Sequence, residues 1–552
     1  MTRSGWALRE LLAALSFLLV AMTWAPAVVA AEPSVGERIY RDGVLPSGSL
    51  LRGDRAGGAA VEGRAAACQT CHRRSGLGSV EGRTVVPPII GKYLFRTRAT
   101  NVQDLALPHV LGYRSTRDPY TPATLARAIR EGEDASGRAL SVLMPRYALD
   151  DAAVASLTSY LEVLTSAPVP GVGNDMLHFA TIITPDADPR QRQGMLDVMR
   201  RFFDDKNEFI RGGGRRMQAS REIEYRVTRR WQLHVWELSG APETWEQQLR
   251  AKLAAEPVFA VISGLAGRTW APVHRFCEAA QLPCLFPNVD RPEVAEQDFY
   301  SLYFSRGVLL EADLMAMRLS EPDDRRGGAP RRIRQVLREG DLGKESAQAL
   351  CARAAGRVGL ACEIRMLAAA RPGDRADLVA AVTGLSAQDA LVLWLRPDDI
   401  AALPAAAPVA QTVLASGLMG GLESMPLPAT WREVVRLTYP FDLPDDRRVR
   451  MNFPLTWFKI RKIDVVAERV QTDTYVALGI LSEALHDMLD SFVRDYLVER
   501  VEMMLSHRQV NGYYPRLSLA PGQRFASKGG YMAHLVGPQG GTVVADSEWL
   551  TP

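Results

Sequence analysis

Residues 66–72 read Ala-Ala-Cys-Gln-Thr-Cys-His, and Cys68, Cys71 and His72 are the residues whose types and spacing point most directly at chemistry. Two thiols separated by two residues can reach both vinyl groups of one porphyrin, while the adjacent imidazole reaches the iron from the same turn of chain. This is the spacing of c-type haem attachment. A redox dithiol or half of a zinc site is the competing reading, and it lacks a second Cys/His pair within the segment. One covalently bound haem c is therefore the expected cofactor, with His72 on its iron. Met144, in Ser-Val-Leu-Met-Pro-Arg-Tyr, is the expected sixth ligand and His109 its rival. Pro145 keeps the methionine on a stiff loop and out of a helix.

The elements that would position these groups follow from the local pattern. Asp150 or Asp151 opens a segment with Val154, Leu157, Leu161 and Leu164 at helical spacing, which predicts a helix packed behind the Met144 loop. A helix near Val35–Tyr40 precedes the haem motif, and Val86-Pro87-Pro88-Ile89-Ile90-Gly91 follows it. With these features residues 35 to about 166 resemble a class I cytochrome c domain. The resemblance implies a small all-α domain over 32–166, His72 and Met144 as axial ligands, and one-electron transfer at a saturated iron.

The rest of the chain sets bounds on this reading. At 552 residues, 47% apolar and 23% charged, it is too long for one compact core. Its 66 basic and 63 acidic residues nearly cancel, so charge does not argue for nucleic acid as a partner. Arg3 and Arg9 precede an apolar run from Leu11 to Met22, closed by the small residues Val28, Ala30 and Ala31. Residues 1–31 are expected to be a secretory signal peptide, which places the mature chain in the periplasm; an uncut anchor is the alternative. No later run is long enough to form a transmembrane helix.

A Pro/Gly linker covers 167–175, and beyond it strand-like runs alternate with amphipathic helical stretches. Phe179–Thr184, Trp231–Leu238, Val258–Ser263, Arg332–Leu337, Ala390–Leu395 and Val409–Ser416 are the strand candidates. Such a rhythm predicts parallel sheets with helices on both faces. Residues 176–552 resemble a type I periplasmic binding protein of the branch that binds branched-chain amino acids and amides. The phrases that carry this are Asn207 with Gly212-Gly213-Gly214-Arg215, Val261-Ile262-Ser263-Gly264, Leu282-Pro283-Cys284-Leu285-Phe286-Pro287, Gly340-Asp341-Leu342-Gly343, Asp473-Thr474-Tyr475-Val476-Ala477, Pro521-Gly522-Gln523-Arg524 and Lys528-Gly529-Gly530.

That resemblance implies a two-lobed α/β domain closing on a ligand by hinge motion, with lobe one at about 176–303 and 430–505 and lobe two at about 304–429 and 506–552. Carried over by position, the small-molecule cleft includes Ser263, Gly264, Thr269, Asn288, Asp290, Ser305 and Arg306. The loop Pro287-Asn288-Val289-Asp290-Arg291 departs from the hydroxyl-rich loop expected for an α-amino-acid headgroup.

The cysteines fall into three close pairs, and Cys277–Cys284 and Cys351–Cys362 are the preferred structural disulfides of an exported chain. Trp231, Trp236, Trp245 and Trp270 read as packing residues, and the arginines from Arg211 to Arg230 as a solvated face. No nucleotide loop, zinc helix or nucleophile elbow stands out, so the chain is expected not to be an enzyme. The leading expectation is a periplasmic electron-transfer protein that exchanges electrons with a dehydrogenase or an oxidase as its redox partner. Its binding-protein domain would sense a small molecule or dock that partner. The alternative is a solute-binding receptor for a small amide, amino acid or organic acid, with the haem in a regulatory role.

Overall fold

A computed structural model describes residues 32–55, 58–95, 117–213, 229–293, 295, 298–320, 330–354, 360–369, 375–489, 491–505, 512–537 and 541–552. The expected signal peptide, His109 and most of the arginine cluster lie outside the described residues. The chain divides into two compact units, one of residues 32–70 and 117–163 and the other of 71–95 and 164–552. The expected division near residue 166 is thus crossed, because the segment after Cys71 belongs with the larger unit.

In the smaller unit the helix Val35–Asp42 starts at Ser34, whose hydroxyl accepts from the Glu37 N–H, and stops at Gly43 in the left-handed region. It packs against the helix Asp151–Val163, burying Ile39 and Tyr40 against Val154 and Leu157. The helix predicted behind Met144 therefore forms. The unit is not all-α as expected: β1 (Arg52–Asp54) pairs antiparallel with β2 (Ala60–Glu62) and β5 (Arg146–Tyr147). Strands of two or three residues are too short to show an alternating pattern in sequence, which is why they escaped it.

The larger unit begins with a hairpin of β3 (Ser79–Glu81) and β4 (Thr84–Val86). Its body holds two sheets. The first comprises β6 (Met176–Ile183), β7 (Arg230–Glu237), β8 (Ala260–Ile262), β9 (Cys284–Leu285) and β10 (Ser301–Leu302), all parallel in the order β10-β9-β8-β6-β7. The second comprises β11 (Arg332–Arg338), β12 (Ala361–Leu367), β13 (Asp389–Trp394), β14 (Thr412–Ala415), β15 (Val435–Tyr439), β16 (Tyr531–Val536) and β17 (Thr542–Ala545). Its order is β12-β11-β13-β14-β15-β16-β17, parallel as far as β15 and antiparallel beyond. Strands buried on both faces must be apolar throughout; β8 and β13 are buried at every residue. The two-lobed α/β architecture with parallel sheets is the one expected.

Each lobe has its own core. Trp236, Trp245 and Trp270 pack with Phe276 in the first, and Trp394 packs with Leu337 and Met315 in the second. Trp231 is buried as well, so all four tryptophans serve packing. The helices Glu468–Asp487 and Pro189–Gly213 lie together on the first sheet, while Val308–Ser320 covers the second. The chain crosses between lobes after β10, after β15 and before β16. Strand β15 is hydrogen-bonded in the second sheet, so the return to lobe one comes after Tyr439, not at 430. The crossing segments are tied together: Tyr303 N–H donates to Arg524 O at 2.9 Å, Ala526 N–H to Tyr303 O at 3.0 Å, and Asp442 N–H to Tyr513 O at 2.8 Å.

Of the two expected disulfides, Cys351–Cys362 forms between the helix Gly343–Ala354 and β12. Cys277 and Cys284 are buried in the first core and are not bonded to each other. Among the described residues no helix is long and apolar enough to cross a membrane.

Candidate functional site

The lobes and their crossings meet at a cleft of about 340 Å³, counting its open mouth. Pro287, Asn288, Val289 and Asp290 reach it from the loop after β9, and Tyr303, Phe304, Ser305 and Gly307 from the first crossing. Leu418 comes from the turn after β14, Phe441 from the second crossing and Tyr514 from the third. Arg469 and Asp473 project from the first turns of the helix Glu468–Asp487, one helical turn apart on the same face.

Close packing holds these loops. Gly307 adopts φ +57, and a Cβ there would lie 1.9 Å from the Asp290 carbonyl oxygen, so only glycine lets the two loops touch. The next residue, Val308, donates its N–H to that same oxygen at 2.8 Å. Phe304 stacks on Tyr514 with centroids 5.2 Å apart, and Phe441 meets Tyr514 at 5.3 Å, which makes a stiff aromatic wall.

The polar groups are unevenly satisfied. Asn288 donates through Nδ2 to Ser263 Oγ at 2.9 Å and lies within 3.3 Å of Gly264 O and Thr474 Oγ1. Its Oδ1 is buried and accepts no hydrogen bond. Arg469 Nη2 is 3.1 Å from Asp290 Oδ1. Asp473, 2% exposed, has an Oδ1 with no hydrogen-bond partner. Burial pushes the Asp473 carboxyl up to about 7, against the pull of Arg469. A buried acceptor left unpaired costs about 1–3 kcal/mol, and more when charged, and two such atoms belong to side chains that line the cleft.

Of the cleft residues expected from sequence, Asn288, Asp290 and Ser305 line it. Ser263 and Gly264 lie one layer behind, where they hold Asn288. Thr269 caps the helix Ala271–Ala279 by accepting from the Ala271 N–H, and Arg306 pairs with Asp313; neither lines the cleft. Sequence reasoning missed Arg469, Asp473, Phe441 and Tyr514. The available signal was two charged residues four apart on a helix whose neighbours Val470, Gln471, Thr472, Thr474 and Val476 are buried.

The Cys68–His72 segment runs into a short helix, Gln69–His72. Cys68 belongs to the smaller unit, and Cys71 and His72 to the larger. His72 Nδ1 is 2.9 Å from the Pro87 carbonyl oxygen, and burial lowers the imidazole pKa against the raising effect of that bond. Met144 belongs to the smaller unit. The segment just after His72 docks on the helix Arg494–Leu505: Arg73 pairs with Glu502, Arg74 with Asp495 at 3.5 Å, and Ser75 with Glu499.

Among the described residues, the His/Cys/Asp/Glu group with atoms close enough to hold a metal is His274, Glu278 and Asp298. Its donors are already used. Glu278 accepts from the N–H groups of Phe299, Tyr300 and Ser301, while His274 bonds Asp298 at 3.0 Å and the Tyr303 hydroxyl at 2.9 Å. This network anchors the strand β10.

No protein-family model and no curated protein matches the chain. Solved structures do. A fatty acid ABC transporter substrate-binding protein from Thermomonospora curvata aligns at 15% identity over 70% of this chain and 95% of its own, with a TM-score of 0.47. A substrate-binding periplasmic protein from Ralstonia solanacearum aligns at 14% over 67% and 99%, also at 0.47. A leucine-binding protein from Thermotoga maritima aligns at 11% over 68% and 99%, at 0.46. These neighbours are solute-binding proteins with the type I periplasmic binding protein fold. At such identities and scores they assign neither ligand nor residue role to this chain.

The expected one-electron transfer and its haem c cofactor are corrected here. The solved structures reported above are solute-binding proteins. The cleft sits in the two-lobed body that makes up most of the chain. The redox partner expected for the haem finds no support and is set aside with it.

Proposed function

We propose that the chain is a periplasmic solute-binding protein whose two lobes close on one small molecule, and that it acts by binding, not by catalysis. The observation that carries this is the cleft itself: both lobes and all three crossings contribute to it, and Asn288 Oδ1 and Asp473 Oδ1 are left without donors there. The periplasmic location is part of the proposal, supported by the signal-like residues 1–31. Asn288, Asp290, Ser305, Arg469 and Asp473 are the polar contacts of the ligand; Phe304, Phe441 and Tyr514 enclose its apolar part.

Thermal-shift screening of the full chain against amino acids, amides, short organic acids and small amines tests this. A ligand that binds only the folded state at a hundred times its Kd adds about 2.7 kcal/mol, a shift of several degrees. The expected result is a saturable rise with members of one class. If no class raises the melting temperature, the reading fails.

A further inference from the structure

We infer that the solute is a small primary amine, bound as its ammonium ion between Asp473 and Asn288 with its alkyl chain against Phe441 and Tyr514. The inference rests on the solute-binding reading and narrows it to one chemical class.

Asn288 Oδ1 is an acceptor, and Asp473 Oδ1 is one whenever its carboxyl is ionised. Asn288 spends its amide N–H groups on Ser263 Oγ and its neighbours, so the side chain is locked with Oδ1 as the atom left over. Asp473, on the helix across from that loop, accepts nothing at Oδ1. Asn288 is 6% exposed and Asp473 2%, so water does not freely serve either one. A ligand that satisfies both must bring N–H or O–H donors and no competing acceptor. An ammonium has three donors and no acceptor; a carboxylate has the reverse.

Charge points the same way. The lining carries Asp290, Asp473 and Arg469. Arg469 pairs with Asp290 at 3.1 Å and the nearby Arg447 with Glu423; Asp473 feels both guanidiniums but has no salt bridge of its own. An anionic solute would meet that carboxylate inside a half-closed cleft, whereas a cation neutralises it. Phe441 and Tyr514 supply the apolar side of the lining for a short aliphatic chain.

The test is calorimetric titration of the full chain with four compounds of near-equal shape: n-butylamine, butyramide, butyrate and n-butanol. Butylamine is expected to bind with one-to-one stoichiometry, and the other three at least tenfold more weakly. Asp473→Asn keeps shape and removes the charge; it is expected to fold, by its circular dichroism spectrum, and to lose at least tenfold in amine affinity. If butyramide or butyrate binds more tightly than the amine, or if Asp473→Asn binds the amine unchanged, the inference is overturned while solute binding stands. If neither these compounds nor the wider screen gives a bound ligand, the solute-binding reading falls as well.

Discussion

Glu499 accepts two hydrogen bonds from Ser75, one from its backbone N–H at 2.9 Å and one from its hydroxyl at 2.5 Å. Both residues are fully buried. Burial raises the Glu499 carboxyl to about 8, although Arg73 and the Ser75 hydrogen bonds pull it down. The native state therefore holds a proton that the unfolded chain, with an ordinary glutamate, releases near pH 4.3. The sign follows: stability falls as pH rises through the window between the unfolded value and about 8, by up to about 1.4 kcal/mol per pH unit from this group. Glu311 and Asp473, each raised to about 7 by burial, add to the same slope below neutrality. Glu499→Gln is expected to flatten the dependence of melting temperature on pH between 5 and 8 without lowering the melting temperature at pH 8. An unchanged slope would show that Glu499 does not hold the proton.

Glu502 takes a second role at the same place, because its carboxylate pairs with both Arg73 and Arg524. Arg524 also donates to Phe299 O, so one buried acid joins the segment after His72 to the crossing near β10. Removing one partner of a buried pair strands the other charge, at a cost of about 3–5 kcal/mol. Glu502→Ala is expected to lower the unfolding free energy by that amount, read from the shift of its denaturation midpoint, and Glu502→Gln by less. A Glu502→Ala midpoint equal to wild type would contradict the pairing.

Between the lobes, Arg291 of lobe one meets Glu345 of lobe two at 3.0 Å. Glu345 is nearly half exposed, so the contact is worth about 0.2–1 kcal/mol and is screened by salt. Glu345→Gln is expected to weaken solute binding about two- to fivefold at low ionic strength and hardly at all in 1 M salt. A loss that is independent of salt would assign Glu345 some role other than a latch.

The Cys351–Cys362 bridge closes a short loop, with a sequence separation of 11, at the outer edge of the second sheet. Chain entropy makes such a link worth about 2–3 kcal/mol. The double substitution Cys351→Ser and Cys362→Ser is expected to lower stability by that amount and leave solute affinity unchanged, since neither residue lines the cleft. Equal stability of the reduced and oxidised chains would contradict this.

The sequence carried the lobes better than the site. The apolar runs Val258–Ser263 and Ala390–Leu395 became β8 and β13 because strands covered on both faces cannot hide their composition. Asn288, Asp290 and Ser305 were legible because they sit on loops after strands, where ligands of such folds are met. Arg469 and Asp473 were not, since they lie about 180 residues further on in a helix whose pattern reads as core, and only the chain crossings bring them back to Asp290. The cofactor reading went astray for a related reason. Cys68, Cys71 and His72 describe what seven residues could do, while the cleft is assembled in the two-lobed body from residues far apart in sequence.

The most direct measurement is calorimetric titration of the best solute from the screen into the wild-type chain and into Phe441→Ala, which shortens the aromatic wall and keeps every ionisable side chain, although it removes the ring beneath the Arg469 guanidinium. The expected result is one site per chain with a negative heat-capacity change in the wild type, as apolar burial requires, and an affinity at least tenfold weaker in the variant. Identical titrations of the two proteins, or no heat of binding in either, would contradict a solute held between the lobes.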